Sequence, residues 1–261
     1  MNKVQNQKVA IVTGGAGDVG AATAEFFASR GYHVLINYNR SKKRAEEVVE
    51  ICKSYGVEST AICADVSSNE GCQEVAKAAN DAWGRIDVLV NSAGATQFIP
   101  LTQLDDVQAE DFLKIYSVNA VGPFLMARAV SKFMKEAGSI VNISSIAGET
   151  GRGSSYPYVL SKSALNILTV SLARSLAPKI RVNAVMPGMI EGKWMLDGLG
   201  EDSYNRVKKD FIDLAALGKI CRPQDIAGAA FWLSDPDSVV TGQVIKVDAG
   251  FTLGRDRNQS R

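Results

Sequence analysis

The sequence predicts an α/β fold: a doubly wound parallel sheet of seven strands with helices on both faces. Three observations predict it. Short, near-continuous Val/Ile runs recur along the chain, as in strands buried on both faces. Longer amphipathic stretches alternate with those runs. A glycine-rich turn follows the first run and opens the first amphipathic stretch.

The elements follow in order. Val9 to Val12 reads as the first strand, and the turn Thr13-Gly14-Gly15-Ala16-Gly17-Asp18-Val19-Gly20 leads into a helix over about 18–30. Val34 to Ile36 and Val57 to Ala64 are the next strands, with helices at about 41–55 and 67–83. Ile86 to Val90 and Ile140 to Ile143 flank one long helix at about 105–136. A helix at about 155–177 carries Leu165, Leu168, Leu172 and Leu176 at three- and four-residue steps, one apolar face. Ile180 to Val185, a helix at about 223–234 and Val244 to Val247 complete the pattern. One stretch breaks the rhythm, from about 189 to 221. It holds Gly192, Gly198 and Gly200 around Trp194, Met195 and Leu196, then a helical piece from about Ser203 to Leu217. An insertion after the C-terminal end of a parallel strand lies where such sheets bind ligands, so it is expected to be a substrate lid. The tail from Arg255 to Arg261 is polar and expected to fray.

The 261 residues, 46% hydrophobic, suit a single domain over 1–261 with a sizeable core. Lys+Arg is 29 and Asp+Glu is 28, a net charge of +1 that argues against a nucleic-acid binder relying on bulk charge. The lone histidine, His33, and four cysteines without a C-x-x-C pair exclude a zinc site built on several His or Cys at ligand spacing. Cys52, Cys63, Cys72 and Cys221 read as free buried thiols. The N-terminus is polar, and no apolar run approaches the ~18 residues of a membrane span. The expectation is a cytoplasmic protein with no membrane partner. Asn142-Ile143-Ser144 and Asn258-Gln259-Ser260 match the glycosylation pattern, which has no meaning without secretion.

Gly14, Gly17 and Gly20 in a strand–turn–helix context let backbone approach a pyrophosphate, which the helix N-terminus attracts through its unpaired N–H groups. No Lys-Ser/Thr ends the turn, so it is not a P-loop. The end of the second strand decides which dinucleotide binds. An acidic residue there would hold a ribose 2′-OH, yet none occurs between Phe26 and Ala45. Arg40 and Ser41 offer donors where a 2′-phosphate would lie, with Asn39 before them as a further cofactor-binding residue and Lys42, Lys43 and Arg44 after them. The reading is NADP, with NAD possible.

Tyr158 and Lys162 stand at i, i+4 and share a helix face. Tyr38/Lys42 and Tyr204/Lys208 repeat the spacing, so spacing alone does not select a pair. Only Tyr158 has a strand-end hydroxyl thirteen residues before it, Ser145; the same count reaches Glu25 and Glu191 for the other two. Pro157 suits the first turn of a helix, with Ser154 or Ser155 as cap. A nearby ammonium lowers a phenol's pKa, so Tyr158 reads as a general acid toward a carbonyl oxygen. Ser145 would hydrogen-bond the same oxygen, and Ser144 is the other hydroxyl to weigh.

At this point the chain resembles the short-chain dehydrogenases/reductases over nearly all its length. The resemblance is carried by the Thr13–Gly20 turn, Asp65-Val66, Asn91-Ser92-Ala93-Gly94, Asn119, Ser145, Tyr158/Lys162, Pro187-Gly188 and the ending Thr241-Gly242-Gln243-Val244 to Val247-Asp248-Ala249-Gly250. It implies a Rossmann-type sheet, Ser145, Tyr158 and Lys162 as catalytic residues, and Asn119 positioning a water that relays protons to Lys162. It implies Asp65 and Val66 around adenine and Asn91, Ala93 and Gly94 beside the cofactor. Gly14, Gly17, Asp18, Val19 and Gly20 would belong to the cofactor-binding turn, Lys162 would hold the ribose, and Pro187, Gly188 and Ile190 would border the nicotinamide. Asn119 also reads as the cap of a kink in the long helix, and Asp65 as the cap of the third helix. The sequence departs from the family pattern at Asp18, where a glycine is usual, at Ser92, where Asn is usual, and at Gly192, where relatives often carry Thr. An anion at position 18 is expected to repel a pyrophosphate yet suits a helix N-terminus.

The leading reading is an NADP-dependent enzyme interconverting a carbonyl and a secondary alcohol on a small-molecule substrate. Phe98, Ile99, Trp194, Met195, Leu196 and Leu199 suggest a partly apolar pocket, which suits ketoacyl or other ketones. The loop from Ala95 to Glu110 is longer than expected of carrier-protein ketoacyl reductases. A sugar or polyol dehydrogenase of the same fold is the alternative, and a silent dinucleotide-binding sensor a further one. The resemblance implies a homotetramer, and Val121, Phe124, Leu125, Ala129 and Phe133 hint at it.

Overall fold

The computed structural model describes residues 7–255. Residues 256–261 of the expected frayed tail, with the Asn258 to Ser260 pattern, and most of the polar N-terminus lie outside them. Seven strands form one sheet in the order β3-β2-β1-β4-β5-β6-β7, every neighbouring pair parallel. They are β1 (Val9–Thr13), β2 (His33–Tyr38), β3 (Ser59–Cys63), β4 (Ile86–Asn91), β5 (Met134–Ile143), β6 (Ile180–Pro187) and β7 (Val244–Val247). The expected α/β fold and seven-stranded sheet are therefore present.

The strand pleat sorts the apolar runs into two cores. Ala10, Val12, Val34, Ile36, Val88 and Val90 face one side with α1 (Asp18–Ala28), α2 (Lys42–Ser54) and a later helix, Pro223–Leu233. Ile11, Leu35, Leu89 and Ile140 face the other with α3 (Asn69–Trp83) and the helices Gly122–Val130 and Tyr156–Leu176. A polar face on either side would have forced alternation, which is why these strands read as unbroken apolar runs. Caps fix the helices between them. Ser68 accepts the Gly71 N–H at 3.0 Å to start α3, and Gly84 ends it at φ 66°.

The expected long helix over 105–136 is broken. It comprises α4 (Ala109–Tyr116), a π-helical turn over Ser117–Val121 and α5 (Gly122–Val130), after which the chain is already in β5 by Met134. Pro123 is the physical reason for the interruption: it has no N–H to donate back to the preceding turn. The four-residue α6 (Ala147–Thr150) follows β5, and α7 (Tyr156–Leu176) follows that.

The stretch after β6 holds two helices, α8 (Lys193–Leu199) and α9 (Glu201–Leu214), where one piece from about Ser203 was expected. Its two ends are zipped together, with the Glu191 N–H donating to Cys221 O at 2.8 Å and the Cys221 N–H to Met189 O at 2.9 Å. Tyr204 and Phe211 anchor α9 in a third apolar cluster with Met186, Met189 and Ile220. The helix Pro223–Leu233 is α10. Three cysteines are buried, but Cys63, at the end of the edge strand β3, is exposed, which corrects the expectation of four buried thiols. Edge position leaves one flank of that strand without a neighbour. His33 stacks on Trp83 at 5.6 Å and accepts the Glu58 N–H through Nδ1, a packing role.

Candidate active site

A cleft of about 1150 Å³ runs across the C-terminal ends of β1, β4, β5 and β6, at the point where the strand order turns back from β1 to β4. At one end lies the glycine turn. Gly14 adopts φ +62°, and a Cβ there would lie 2.7 Å from Ala93 Cα. Gly20 is equally constrained, since its Cβ would lie 2.2 Å from Gly14 O. Thr13 Oγ1 accepts the amides of Ser92 and Ala93, both at 3.1 Å, and ties the ends of β1 and β4 together. Thr13 was not singled out from the sequence; its position as the last residue of a strand before a positive-φ glycine is the available signal.

Tyr38, Asn39, Arg40, Ser41 and Arg44 line the cleft beyond that turn. Arg44 pairs with Glu47 at 3.2 Å. Arg40 is exposed and has no side-chain partner among the described residues. Val19, Ala93, Gly94, Pro187, Gly188 and Ile190 also line the cleft. A Cβ on Gly188 would strike Phe211 at 2.6 Å and Asp248 at 2.9 Å. Three expected cofactor residues are not among those that line the cleft. Asn91 donates to Asn142 Oδ1 at 2.9 Å inside the sheet. Asp65 Oδ1 accepts Ser67 N–H at 2.9 Å in the turn before α3, whose cap is Ser68. Val66 is buried in the core with Cys72 and Met126.

The Tyr/Lys pair lies at the middle of the cleft. Ser155 caps α7, accepting the Tyr158 N–H at 3.4 Å, and Pro157 occupies the first turn. Tyr158 and Lys162 are 8% and 5% exposed and lie on one face, with Nζ 5.8 Å from the phenol ring centroid. Ser145 also lines the cleft, near enough to Tyr158 for its hydroxyl to lower the phenol's pKa. Ser144 turns inward, donating to Asn166 Oδ1 at 2.6 Å, so geometry selects Ser145 as the hydroxyl beside Tyr158. The rival pairs lie apart from this group. Lys42 starts α2 with Glu46 at 3.8 Å, and Lys208 pairs with Glu191 at 3.3 Å.

Burial pushes Tyr158 up to about 12, against the lowering effect of the Ser145 hydroxyl, and brings Lys162 down to about 8. The expected lowering of the phenol by the ammonium is not seen: Lys162 is not among the groups that shift Tyr158, and desolvation raises it. The phenol thus keeps its proton at neutral pH, and the Lys162 Nζ, its pKa held below the ordinary range by burial, donates to Ile143 O at 2.8 Å. Asn119 occupies the π turn. Its Oδ1 accepts the Ala95 N–H at 2.7 Å, while its Nδ2 donates to Ala95 O and to Ser161 Oγ, both at 2.9 Å. Asn119 thus clamps the chain beyond β4 to α7, and Gly94 sits between it and Lys162.

Aromatic side chains roof the pair. Trp194 on α8 lies 6.1 Å from Tyr158 and 6.5 Å from Phe98, ring centre to ring centre. The backbone of Gly198 packs directly on Phe98, where a Cβ would overlap the ring. Loop 95–103 is pinned to loop 151–155 by the Ile99 N–H donating to Ser154 O at 2.8 Å and by Thr96 with Ser154. Among the described residues, no group of three or more His, Cys, Asp and Glu is placed to hold a metal, and no helix is long and apolar enough to cross a membrane.

This cleft, with a glycine turn at one end and a Ser/Tyr/Lys group in the middle, is an oxidoreductase architecture, and comparison with known proteins agrees. A family model described as Enoyl-(acyl carrier protein) reductase matches residues 14–252. The chain is 36% identical to glucose 1-dehydrogenase 2 of Bacillus subtilis over 258 residues, 97% of this chain and 98% of that protein. The short-chain dehydrogenase/reductase from Serratia marcescens superposes with a TM-score of 0.85 at 30% identity, covering 96% of this chain and all of that one. A blue fluorescent protein from a metagenomic library, solved in complex with NADPH, gives 0.84 at 34% identity, covering 95% and 99%. The chain belongs to the short-chain dehydrogenase/reductase family.

Proposed function

We propose that the protein is an NADPH-dependent reductase that converts a ketone-type carbonyl to a secondary alcohol, with NADH a poorer donor. The observation that carries this reading is the placement of Ser145, Tyr158 and Lys162 in one cleft with the Gly14–Gly20 turn. The residues fit a dinucleotide. The positive-φ turn leaves room for pyrophosphate at the N-terminus of α1, and the cleft reaches from there to Lys162. Bound NADPH supplies the hydride.

This chain's own residues supply the rest. Ser145 and Tyr158 hydrogen-bond the carbonyl oxygen and stabilise the charge that develops on it. Tyr158 gives up its phenolic proton to that oxygen, and the Lys162 ammonium stabilises the phenolate left behind. Asn119 holds the backbone at Ala95 so that Gly94 borders Lys162 closely. Pro187, Gly188 and Ile190 line the cleft and would border the nicotinamide. The segment from about 189 to 221 acts as a lid, and Phe98, Trp194 and Met195 favour a substrate with an apolar body over a polyol.

Arg40 selects the phosphorylated cofactor through a charge-assisted bond to its 2′-phosphate. Arg40→Ala is expected to raise the KM for NADPH by roughly 10–100-fold, the loss of one such bond, and to leave the KM for NADH within about twofold. Steady-state kinetics with both cofactors checks this. Equal effects on both would remove Arg40 from cofactor choice.

Leu113, Tyr116, Val121, Phe124, Leu160 and Ile167 are exposed on α4, the π turn, α5 and α7, with Leu113 72% and Ile167 67% accessible. Leu125 and Phe133 pack partly against the core and Ala129 is buried, so Val121 and Phe124 are the two of the five expected residues left open. This apolar surface supports a homotetramer joined through these helices. Light scattering is expected to return four times the chain mass, and a clean monomer would refute it.

A further inference from the structure

Two departures from the family pattern, at positions 18 and 192, meet in space. Asp18 is the first residue of α1, and its Oδ2 accepts the backbone N–H of Lys193, the first residue of α8, at 2.9 Å. The residue before α8 is Gly192, which has no side chain with which to cap its own helix. A Cβ on Gly192 would lie 2.3 Å from Asp18 Oδ2 and 2.9 Å from its Cγ. The space left by the missing side chain is therefore the space the carboxylate fills. Both residues line the cleft, and Trp194, two residues after Gly192, is the one that roofs Tyr158.

We propose that Asp18 is a positioning residue: its carboxylate caps α8 through the Lys193 N–H and so latches the lid to the glycine turn, holding Trp194 over Tyr158. The carboxylate that looked like a repellent beside a pyrophosphate is turned to the lid. No residue of α8 is fully buried and only Met195 and Leu199 pack partly against the third cluster, so this bond and the packing of Phe98 on Gly198 add to a light hold on the helix. α9 has its own anchors in Tyr204 and Phe211. Opening is accordingly expected to begin at α8. The latch joins two parts of this chain and is read without cofactor, so its failure is distinct from failure of the reductase reading.

The test is limited trypsin digestion of the full-length protein without cofactor, following cleavage after Lys193 and after Arg206 by mass spectrometry. Both residues are exposed, and Arg206 lies on the anchored α9. In Asp18→Ala, cleavage after Lys193 is expected to accelerate roughly fivefold, the loss of one helix cap, with cleavage after Arg206 unchanged. Asp18→Asn keeps an acceptor oxygen and is expected to stay within about twofold of wild type. Gly192→Ala displaces the carboxylate and is expected to match Asp18→Ala. The double variant is expected to be no faster than Asp18→Ala, because the clash is gone with the carboxylate.

In steady-state kinetics the KM for a ketone is expected to rise in Asp18→Ala with kcat changed less. Wild-type cleavage after Lys193 in both single variants would overturn the proposal, and an Asp18 that acts only by repelling cofactor phosphates gives that result. Equal acceleration at Lys193 and Arg206 would also overturn it, as would an Asn variant as fast as Ala, or multiplicative effects in the double variant.

Discussion

Tyr158→Phe is expected to lower kcat for NADPH-driven carbonyl reduction by about 10²–10⁴-fold while leaving the protein folded. Only the hydroxyl is lost. The ring keeps its buried place beside Trp194, Ser145 Oγ still accepts the Ala147 N–H at 3.1 Å, and Ser145 is partly exposed, so its own O–H can turn to water. The stability cost is therefore that of one hydrogen bond, about 1 kcal/mol. The kinetic signature follows from the role. A group acting on the carbonyl oxygen as charge develops contributes in the transition state, so kcat and kcat/KM fall together. Stopped-flow NADPH oxidation with purified variant, beside a thermal melt, checks both parts. A variant retaining full rate would show that the proton comes from elsewhere.

Gly14→Ala is expected to destabilise the protein by about 3 kcal/mol or more, lowering Tm by roughly 6–12 °C, and to abolish measurable NADPH binding. Two costs add. Gly14 sits at φ +62°, where an L side chain pays about 1 kcal/mol or more. The new Cβ would also lie 2.7 Å from Ala93 Cα and 2.8 Å from Ala93 N. Both are backbone atoms, and Thr13 Oγ1 holds that backbone by accepting two amides at 3.1 Å. Relief requires separating β1 from β4 at the point where the phosphates would bind. Gly31→Ala is the control: its φ is +82°, yet nothing lies within 4 Å of the new Cβ, so only the conformational cost of about 1 kcal/mol is expected. Calorimetry of the two variants separates contact from conformation, and equal losses would remove the Ala93 contact from the argument.

What the sequence made legible was what local pattern encodes. Buried parallel strands need apolar residues on both faces, so Val9 to Val12 and Ile140 to Ile143 announce themselves. The thirteen-residue step from Ser145 to Tyr158 is filled by one short helix and a serine cap, which bring both residues to one cleft. The helix over 105–136 was misread because a periodicity window spans the π turn at Ser117–Val121 without detecting its change of phase. α8 is not legible because it is only seven residues long with Gly198 inside it, and Met195 and Leu199 alone pack partly against the core, too few for an apolar stripe. The bond from Lys193 to Asp18 joins residues 175 apart, and each looked like an unexplained departure on its own. The Tyr158 shift was missed for a different reason: spacing places the ammonium near the ring, whereas the cost of desolvation depends on everything packed around it.

The most direct test of the central claim uses NADPH deuterated at the transferable position of the nicotinamide, turned over with a panel of ketones and ketoacyl thioesters. Mass spectrometry of the product locates the label. Carbonyl reduction at the Ser145/Tyr158/Lys162 site predicts one deuterium on the carbinol carbon for each NADPH consumed. Label on a carbon beside an intact carbonyl, or NADPH oxidised with no labelled alcohol formed, would contradict it.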